Sequence, residues 1–545
     1  MPVTTFKQSP VKVDLGGLGT ITAARLTPKS AKGPTCTYVG GLPYALPPTG
    51  AYRFRRPRPL PDGYSYGTKA NPGSFTGRTA LCPQPSYRGV PEKSLWDENC
   101  LQLNIWIPHG PPPSHRGWPV FFFIHGGWLQ FGTANMAPST MANMFHETPF
   151  KAIFIMPAYR LNLFGFLTSR ELEAEAERDG ETPGNCGFWD QRMALEWVAK
   201  NIHLLGGDAK KVTVGGYSAG SHSTFNQLAH DLDRPEGEQL IGRAIMWSNG
   251  PGVQAKGLAE SQDQFDELLG HLGISLDLNS AEKLHKLRAV PADRLVEVQS
   301  KMKISEFRAW SDGDFVSKTT SQSINDGTFA IKLKRRGIKI LNGECAEEWN
   351  MYASWRTPEN TYEDVYRRLV ADYPEKAVRA LVPIYFPNEQ LPSRYKDWQD
   401  AFGKVYADMQ VYALERGFAH CLDAGGFKVG QDLLRYRIEW RAKCVDTQLP
   451  PEWGVTHSSD TAIWFWGNGM GKGLTDEEKV VVAPINQLLT DFVNFGNVEW
   501  PVKVTRGVLR LTARGKVDMW VDELYDHGLE VWKAVTVEEG AGPRL

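Results

Sequence analysis

The chain lacks long apolar runs and carries almost no net charge. In its 545 residues the longest strongly apolar run is Val120–Ile124, far shorter than the roughly 20 residues that span a bilayer. Lysine plus arginine number 61 and aspartate plus glutamate 62, so the formal net charge is −1. A near-neutral chain offers no electrostatic basis for binding nucleic acid or anionic membranes. The sequence therefore predicts neither a nucleic-acid nor a membrane partner.

Signals for secretion, glycosylation and metal binding are also missing. Residues 1–10 lack the apolar core of a signal peptide, and no Asn is followed two places on by Ser or Thr. The seven cysteines are scattered, without the C-x-x-C pair that indicates zinc or redox chemistry. They lie at positions 36, 82, 100, 186, 345, 421 and 444. These features predict a cytosolic protein without metal or cofactor.

What the chain does contain is enough apolar residues for a sizeable core, 41% of the total. Apolar strands alternate with helical segments, which predicts an α/β sheet protein. Residues 38–48 are predicted as a proline-pinned loop. The predicted strands are 98–108, 118–124, 152–156, 211–217, 244–248, 337–343 and 430–441, after an antiparallel pair within 11–27.

One strand leads into a glycine-framed serine, Gly216-Tyr-Ser-Ala-Gly220, followed by a run that can start a helix. This context is typical of a nucleophile elbow, in which a tight strand-to-helix turn exposes a serine hydroxyl. The pattern alone is weak, because Gly63-Tyr-Ser-Tyr-Gly67 also matches it. That second match follows three prolines and has neither strand nor helix beside it. Ser218 is therefore the predicted nucleophile, and Ser65 is predicted to lie in a loop.

A serine nucleophile needs a histidine base and a carboxylate. In α/β-hydrolases the carboxylate comes after the serine in the chain, and the histidine comes after the carboxylate. Only His457 lies in a turn-like loop close after a predicted strand, so it is the predicted base. For the acid, the loop after the 337–343 strand offers three carboxylates among which spacing does not choose. They are Glu344, Glu347 and Glu348.

A glycine turn after the buried strand 118–124 supplies a second element of such a site. Gly126, Gly127 and Trp128 follow this strand directly. Backbone N–H groups in such a turn, together with that of Ala219, can converge on the oxyanion of an acyl-transfer intermediate. These four residues are the predicted oxyanion hole.

The ordered motifs resemble the type-B carboxylesterase and cholinesterase family of α/β-hydrolases from about residue 15 to residue 502. The matching segments are Gly41–Pro48, Glu98–Trp106, His125–Gly127, Tyr159–Phe166, Gly184–Arg192, Gly206–Asp208, the elbow, Gly454–His457 and Gly496–Pro501.

The resemblance implies an α/β-hydrolase fold, with a mostly parallel central sheet flanked by helices in one domain across 1–545. Helical insertions around 256–335 and 356–446 are expected to form a cap over an active-site gorge. The family's glutamate comes five residues after a loop glycine, here Gly343, which favours Glu348 as the acid beside Ser218 and His457. Cys82 and Cys100 correspond to a possible disulfide, although both could be reduced in a cytosolic protein.

Departures from the family concern the pocket. Trp128 replaces a glycine and Tyr217 replaces an acidic residue, so both are predicted to line the substrate pocket with Trp349. Trp310 and Trp355 could add to an aromatic entrance, but any of these four tryptophans could equally be a core residue. In the family, an aromatic residue in the corresponding cysteine loop holds choline. Trp96 is the only tryptophan between Cys82 and Cys100, and it lies too near Cys100 to match that residue. This departure argues against choline esters.

The predicted function is hydrolysis of a small or medium uncharged carboxylic ester through an acyl-enzyme, by a monomer or homodimer. An acyltransferase or other metabolite-processing enzyme using the same triad is the alternative. A non-catalytic binding homologue is disfavoured because Ser218 and His457 are both present.

Overall fold

The computed structural model describes residues 4–88 and 92–536, and one sheet of 13 strands runs through them. The central strands of this sheet pair in parallel, whereas the strands toward both of its edges pair antiparallel. The α/β-hydrolase class is confirmed. The strands are β1 Phe6–Asp14, β2 Thr20–Pro28, β3 Cys36–Pro43, β4 Gly73–Ser74, β5 Gln102–Pro108, β6 Trp118–Ile124, β7 Ile153–Pro157, β8 Gly207–Tyr217, β9 Arg243–Trp247, β10 Lys339–Cys345, β11 Leu433–Ile438, β12 Gly507–Leu511 and β13 Val517–Val521.

The order of the strands across the sheet is β1-β2-β3-β5-β7-β6-β8-β9-β10-β11-β12-β13, with β4 paired to β2. All seven residues of β6 are buried, as expected for a continuous apolar strand in the parallel centre of a sheet. Ile124 pairs with Gly216, and Tyr217 pairs with Trp247. The carboxyl ends of β6, β8, β9 and β10 therefore meet at one edge, where open α/β sheets bind ligands.

The described residues outside the sheet include 18 α-helices, and the stretches predicted as helical are largely helical. The segment 256–335 contains α6 to α10, and 356–446 contains α12 to α15 together with β11. The helices are α1 Pro138–Glu147, α2 Asn162–Phe166, α3 Arg170–Ala176, α4 Cys186–Asn201, α5 Ala219–Leu232, α6 Leu258–Leu272, α7 Ser280–Ala289, α8 Ala292–Gln299, α9 Thr320–Asn325, α10 Thr328–Arg335, α11 Trp349–Ala353, α12 Tyr362–Asp372, α13 Glu375–Tyr385, α14 Trp398–Ala407, α15 Ala413–Ala424, α16 Thr461–Trp464, α17 Asp476–Val493 and α18 Tyr525–Thr536.

A single domain across 1–545 stays a prediction, and residues 1–3, 89–91 and 537–545 of that range lie outside the described residues. Within the described ranges, each helix is too short or too polar to cross a bilayer.

The loop predicted for residues 38–48 is partly wrong. Cys36–Pro43 forms β3, which pairs with β2 and β5. The first five residues of β3 are all buried, so the strand lacks the alternation that identifies a half-buried strand in a sequence. Its glycine pair and the prolines that follow are typical of a loop, and the loop prediction rested on them.

Candidate active site

Ser218 lies between the last residue of β8 and the first residue of α5. Its φ of 59° and ψ of −126° belong to a region that non-glycine residues rarely adopt, and such strain is concentrated at functional sites. A Cβ on Gly220 would lie 2.0 Å from the Ile124 carbonyl oxygen. The elbow therefore needs glycine at that position to pack against β6.

Ser65, the other serine in a G-x-S-x-G pattern, lies in an exposed loop. Its hydroxyl donates to the Gly67 carbonyl at 2.8 Å, and neither a sheet strand nor a helix adjoins it in the way they adjoin Ser218. The loop prediction for Ser65 is confirmed by this geometry.

The three glutamates after β10 have different partners, and only Glu348 meets His457. Its Oε2 lies 2.5 Å from Nδ1 of His457, and its Oε1 accepts the Cys345 N–H at 2.7 Å. Glu344 instead forms a buried ion pair with Arg416 at 2.7 Å. Glu347 accepts a backbone N–H from the histidine loop, that of Val455, at 2.7 Å. The fold thus distinguishes carboxylates that adjoin one another in sequence.

A buried tyrosine fixes the backbone around Glu348. The Tyr412 hydroxyl accepts the Glu348 N–H at 2.9 Å and lies 2.9 Å from the carbonyl oxygens of Cys345 and Ala346. Glu348 itself is fully buried. The carboxylate is therefore held in one orientation toward His457.

His457 is enclosed by two aromatic rings and has one nitrogen left over. The Tyr352 and Tyr217 ring centroids lie 4.5 Å and 5.1 Å from that of the imidazole. Nδ1 is occupied by Glu348, whereas buried Nε2 makes no hydrogen bond to any described residue. A neutral imidazole in this state has one nitrogen available to accept a proton.

The turn after β6 has the dihedral angles of a strained loop. Gly127, Trp128 and Leu129 all have positive φ, at 113°, 55° and 64°. A Cβ on Gly127 would lie 1.9 Å from the Phe131 carbonyl oxygen, so this position needs glycine. Arg308 donates a hydrogen bond to the Trp128 carbonyl from outside the turn, which fixes the orientation of that peptide.

The N–H groups of this turn remain available. Among the described residues, no hydrogen bond from the N–H of Gly127, Trp128 or Ala219 is present. Gly126 packs directly behind the elbow, since a Cβ there would lie 2.6 Å from the Tyr217 carbonyl oxygen. Gly126 therefore contacts the elbow, and Trp128 and Ala219 line the same cavity as Ser218; N–H groups without acceptors in this position are what an oxyanion hole requires.

A cavity of about 90 Å³ opens beside Ser218. Trp128, Ala219 and Tyr352 contribute to its wall near the serine. Side chains from the two helical insertions complete it, among them Lys256, Arg308, Tyr373 and Gln410.

Comparison with known proteins agrees with this geometry. Residues 8–533 match the model of the family described as "Carboxylesterase family". The chain belongs to the carboxylesterase family.

Three relatives illustrate the breadth of the match. A protein of Gibberella moniliformis named "Carboxylic ester hydrolase" is 49% identical over 522 residues, 95% of each chain. An "Uncharacterized esterase/lipase" of Schizosaccharomyces pombe is 37% identical, over 96% of this chain and 97% of its own. An "Acetylcholinesterase" of Bungarus fasciatus is 28% identical, over 84% of this chain and 74% of its own. The prediction of a carboxylesterase-type enzyme is confirmed.

Tyr217 does not line the cavity of this carboxylesterase, contrary to the prediction. Its hydroxyl donates to Asp460 at 2.5 Å, lies 2.9 Å from the Ser248 hydroxyl and accepts the Ser458 N–H at 2.8 Å. These buried partners draw the side chain behind His457. Tyr217 therefore supports the histidine loop from the protein interior, away from the cavity beside Ser218.

The pocket prediction for Trp349 is also wrong, whereas Trp128 does line the cavity. Trp349 follows Glu348 at the start of α11, and adjacent helical residues point in different directions. Its ring lines a separate cavity of about 600 Å³ with Tyr385, Lys404 and Tyr412.

The two tryptophans considered for an aromatic entrance have different positions. Trp355 stacks on Trp128 with ring centroids 5.4 Å apart, behind the cavity wall. Trp310 donates to the Pro183 carbonyl at 2.9 Å and belongs to the packing of that loop. Neither ring lines the cavity beside Ser218.

Sequence reasoning missed Tyr352, which adjoins both Ser218 and His457. Burial raises the pKa of its phenol well above the usual value, and hydrogen bonds with Asn249 and Ser218 act in the opposite direction. Tyr352 follows Glu348 by four residues, close to one turn of helix. This four-residue spacing is the sequence signal from which Tyr352 could have been predicted to lie next to Glu348.

The possible disulfide is not formed in the structure. Cys82 and Cys100 are free and buried. A hydrogen bond with Cys82 and burial raise the pKa of the Cys100 thiol well above its usual value, so it is protonated at neutral pH. Among the described residues no cluster of His, Cys, Asp or Glu has the makings of a metal site.

Proposed function

We propose that this carboxylesterase hydrolyses a small or medium carboxylic ester through an acyl-enzyme formed on Ser218. The observation that carries the proposal is the buried contact between Glu348 and Nδ1 of His457, which leaves Nε2 without a hydrogen bond, while Tyr352 contacts both His457 and Ser218. This is the arrangement that general-base activation of a serine requires.

In the proposed first step, Ser218 Oγ attacks the ester carbonyl carbon while His457 Nε2 accepts the hydroxyl proton. The carbonyl oxygen becomes an oxyanion, which the N–H groups of Gly127, Trp128 and Ala219 stabilise. His457 then passes its proton to the leaving alcohol as the C–O bond breaks. Water repeats the sequence on the acyl-enzyme, giving the acid and free Ser218.

Glu348 has two parts in this proposal. Its carboxylate fixes the tautomer of His457 with the proton on Nδ1, and its negative charge stabilises the imidazolium formed during attack. Because both groups are buried, water screens this interaction little.

The size of the cavity supports a small or medium ester. A volume of about 90 Å³ corresponds to several water molecules on the scale of about 10–15 Å³ for each, so a bulky acyl or alcohol group would require side chains to move. Trp128 occupies part of the space that a glycine would leave open, and its stacking on Trp355 holds it in place.

The test is hydrolysis of p-nitrophenyl butyrate by Ser218→Ala, with Ser65→Ala as the matched control. We expect Ser218→Ala to lose at least about 10³-fold in kcat and to stay folded by circular dichroism. Ser65→Ala should keep wild-type turnover. Undiminished turnover by Ser218→Ala would contradict the proposal.

Acyl transfer to an alcohol is the alternative and would use the same three side chains. Product analysis with and without added methanol or glycerol separates the two: free acid as the main product supports hydrolysis. Labelling of Ser218 by a fluorophosphonate probe would argue against a non-catalytic homologue.

A further inference from the structure

Lys256 is a partly buried cation in the wall of the Ser218 cavity. Its ammonium donates to the carbonyl oxygens of Val370 and Ala371 at 2.7 and 3.0 Å, which leaves one of its three N–H donors unused. Desolvation lowers the pKa of Lys256 while Asp372 acts to raise it. Among the described residues Lys256 forms no ion pair. Buried charges are usually paired, so this ammonium is an unusual wall component.

Asp372, the acidic group that acts most strongly on the pKa of Lys256, already has other partners. Asp372 accepts hydrogen bonds from Arg308 at 2.6 Å and from Arg368 at 2.7 Å. Burial raises the pKa of Asp372, but the two arginines together hold it well below its usual range. The Asp372 carboxylate is therefore ionised, and two positive charges, those of Arg308 and Arg368, face its one negative charge. The charged residues that line the cavity are Lys256, Arg308 and Asp372, and their sum is positive.

A second donor in the same wall also lacks an acceptor. Asn249 donates to the Gln410 side-chain oxygen at 2.9 Å, and the Gln410 amide donates to the Tyr373 hydroxyl oxygen. This chain of bonds orients Gln410 and leaves the Tyr373 proton without an acceptor among the described residues. Burial raises the pKa of Tyr373 well above its usual value, so the hydroxyl remains a donor.

The unusual backbone at Gln410 is consistent with a binding role. Residues Asp408–Tyr412 form a turn of π-helix between α14 and α15, and such turns occur frequently at functional sites. This turn directs Gln410 to the Ser218 cavity and Tyr412 to the backbone of Glu348.

We infer that Lys256 and Tyr373 form an anion subsite beside Ser218, so that the enzyme acts on esters that also carry a carboxylate. The inference rests on the proposed hydrolysis at Ser218. The third N–H of Lys256 and the hydroxyl proton of Tyr373 have no acceptor, and the charged residues of the wall sum to a positive charge. These features fit a carboxylate, and they disfavour a cationic group. The sequence analysis predicted an uncharged ester, but the lack of a choline-binding tryptophan argued only against cationic esters. The inference therefore replaces the uncharged ester by one that carries a negative charge.

Lys256 also has a structural part, since its two bonds occupy carbonyl oxygens in the last turn of α12, a common role for lysine. Lys151 provides a matched control. It is likewise partly buried and donates to the carbonyl oxygens of Phe145 and Thr148 at the end of α1. It lies outside the Ser218 cavity.

The experiment compares kcat/KM for ester pairs that differ in one carboxylate, with acid release followed in a pH-stat. Monoethyl succinate is paired with ethyl pentanoate, and carboxymethyl butanoate with propyl butanoate. These pairs place the charge on the acyl and on the alcohol side. We expect the wild type to prefer the anionic member of at least one pair by about tenfold, the low end of what one charged hydrogen bond contributes.

In Lys256→Met this preference should fall about tenfold, in Tyr373→Phe about threefold, and in Lys256→Arg much less than in Lys256→Met. Lys151→Met should keep the wild-type ratio. A wild-type ratio near one in both pairs, or an equal loss for both members of a pair in Lys256→Met, would overturn the inference while leaving Ser218-dependent hydrolysis intact. Failure of the wild type on all four esters would contradict the proposed function as well.

Discussion

Replacing Glu348 by glutamine tests the geometry of the site with the smallest change of shape. The amide oxygen can still accept the Cys345 N–H, as Oε1 does now at 2.7 Å. The group facing His457 then becomes an NH₂, which donates and so requires Nδ1 to be the acceptor. The imidazole proton moves to Nε2, and the nitrogen that should receive the Ser218 proton is occupied.

The size of the effect follows from this wrong tautomer and from the lost charge. The contact is short, at 2.5 Å, and both side chains are buried, so the carboxylate stabilises the imidazolium with little solvent screening. An equivalent carboxylate-to-amide change in serine hydrolases costs about 10⁴-fold in kcat, or about 5.5 kcal/mol in activation free energy. We expect Glu348→Gln to lose about 10³- to 10⁴-fold in kcat with KM changed only slightly.

Glu347→Gln is the matched control, because Glu347 accepts the Val455 N–H at 2.7 Å and an amide oxygen can replace it there. Its kcat should stay within about threefold of the wild type. Steady-state hydrolysis of p-nitrophenyl butyrate measures both variants, with circular dichroism as the check on folding. If Glu348→Gln retains more than about a tenth of wild-type kcat, or if Glu347→Gln is the more damaged variant, the assignment of the acid is refuted.

Two further substitutions test how the site is supported. Tyr217→Phe leaves the buried Ser458 N–H without its acceptor and removes the donor to Asp460 Oδ1, although Trp464 still donates to Oδ2. We therefore expect a loss of about 2 kcal/mol in unfolding free energy and a lower kcat. Tyr436→Phe is its control, because the buried Tyr436 hydroxyl has no hydrogen-bond partner among the described residues. Urea unfolding measures the stability of both variants. Equal stability of the two would contradict the role given to Tyr217. Gly220→Ala places a Cβ 2.0 Å from a β6 carbonyl oxygen and should lower the free energy of unfolding by about 3 kcal/mol or more. Gly17→Ala is its control, because a Cβ on Gly17 meets nothing within 4 Å. It should change the free energy of unfolding by less than about 0.5 kcal/mol. A thermal unfolding midpoint for Gly220→Ala at the wild-type value would refute the packing argument.

The elbow and the central strands could be predicted from the sequence because both are local. A buried parallel strand shows as a continuous apolar run, as β6 does, and a tight turn shows through its glycines. The strand and helix predicted around Ser218 distinguish it from Ser65 on sequence grounds alone. Strand β3 was missed because its first five residues are all buried and its glycines and the following prolines are typical of a loop.

The acid was only partly accessible to sequence reasoning. Spacing left Glu344, Glu347 and Glu348 open, and the family resemblance favoured Glu348. The three differ in partners that are distant along the chain: His457 is 109 residues from Glu348, and Arg416 is 72 residues from Glu344. Charge and spacing near the glutamates carry no trace of these contacts.

The pocket depended on the tertiary structure almost entirely. Tyr217 and Trp349 were expected in it because they adjoin Ser218 and Glu348 in sequence, yet neighbours along a strand or helix point to different sides. Lys256 comes from one helical insertion and Tyr373 and Gln410 from the other, and they meet at one cavity only in the folded chain.

By itself, then, the sequence determined the class of fold and the proposed nucleophile and histidine, since apolar period and the steric demands of tight turns are properties of a few consecutive residues. The tertiary structure decided which carboxylate contacts His457, where the rings of Tyr217 and Trp349 lie, and that a lysine without an ion pair stands in the cavity wall. Those are contacts between residues far apart in the chain, and they exist only once parallel strands bring their carboxyl ends to one edge of the sheet.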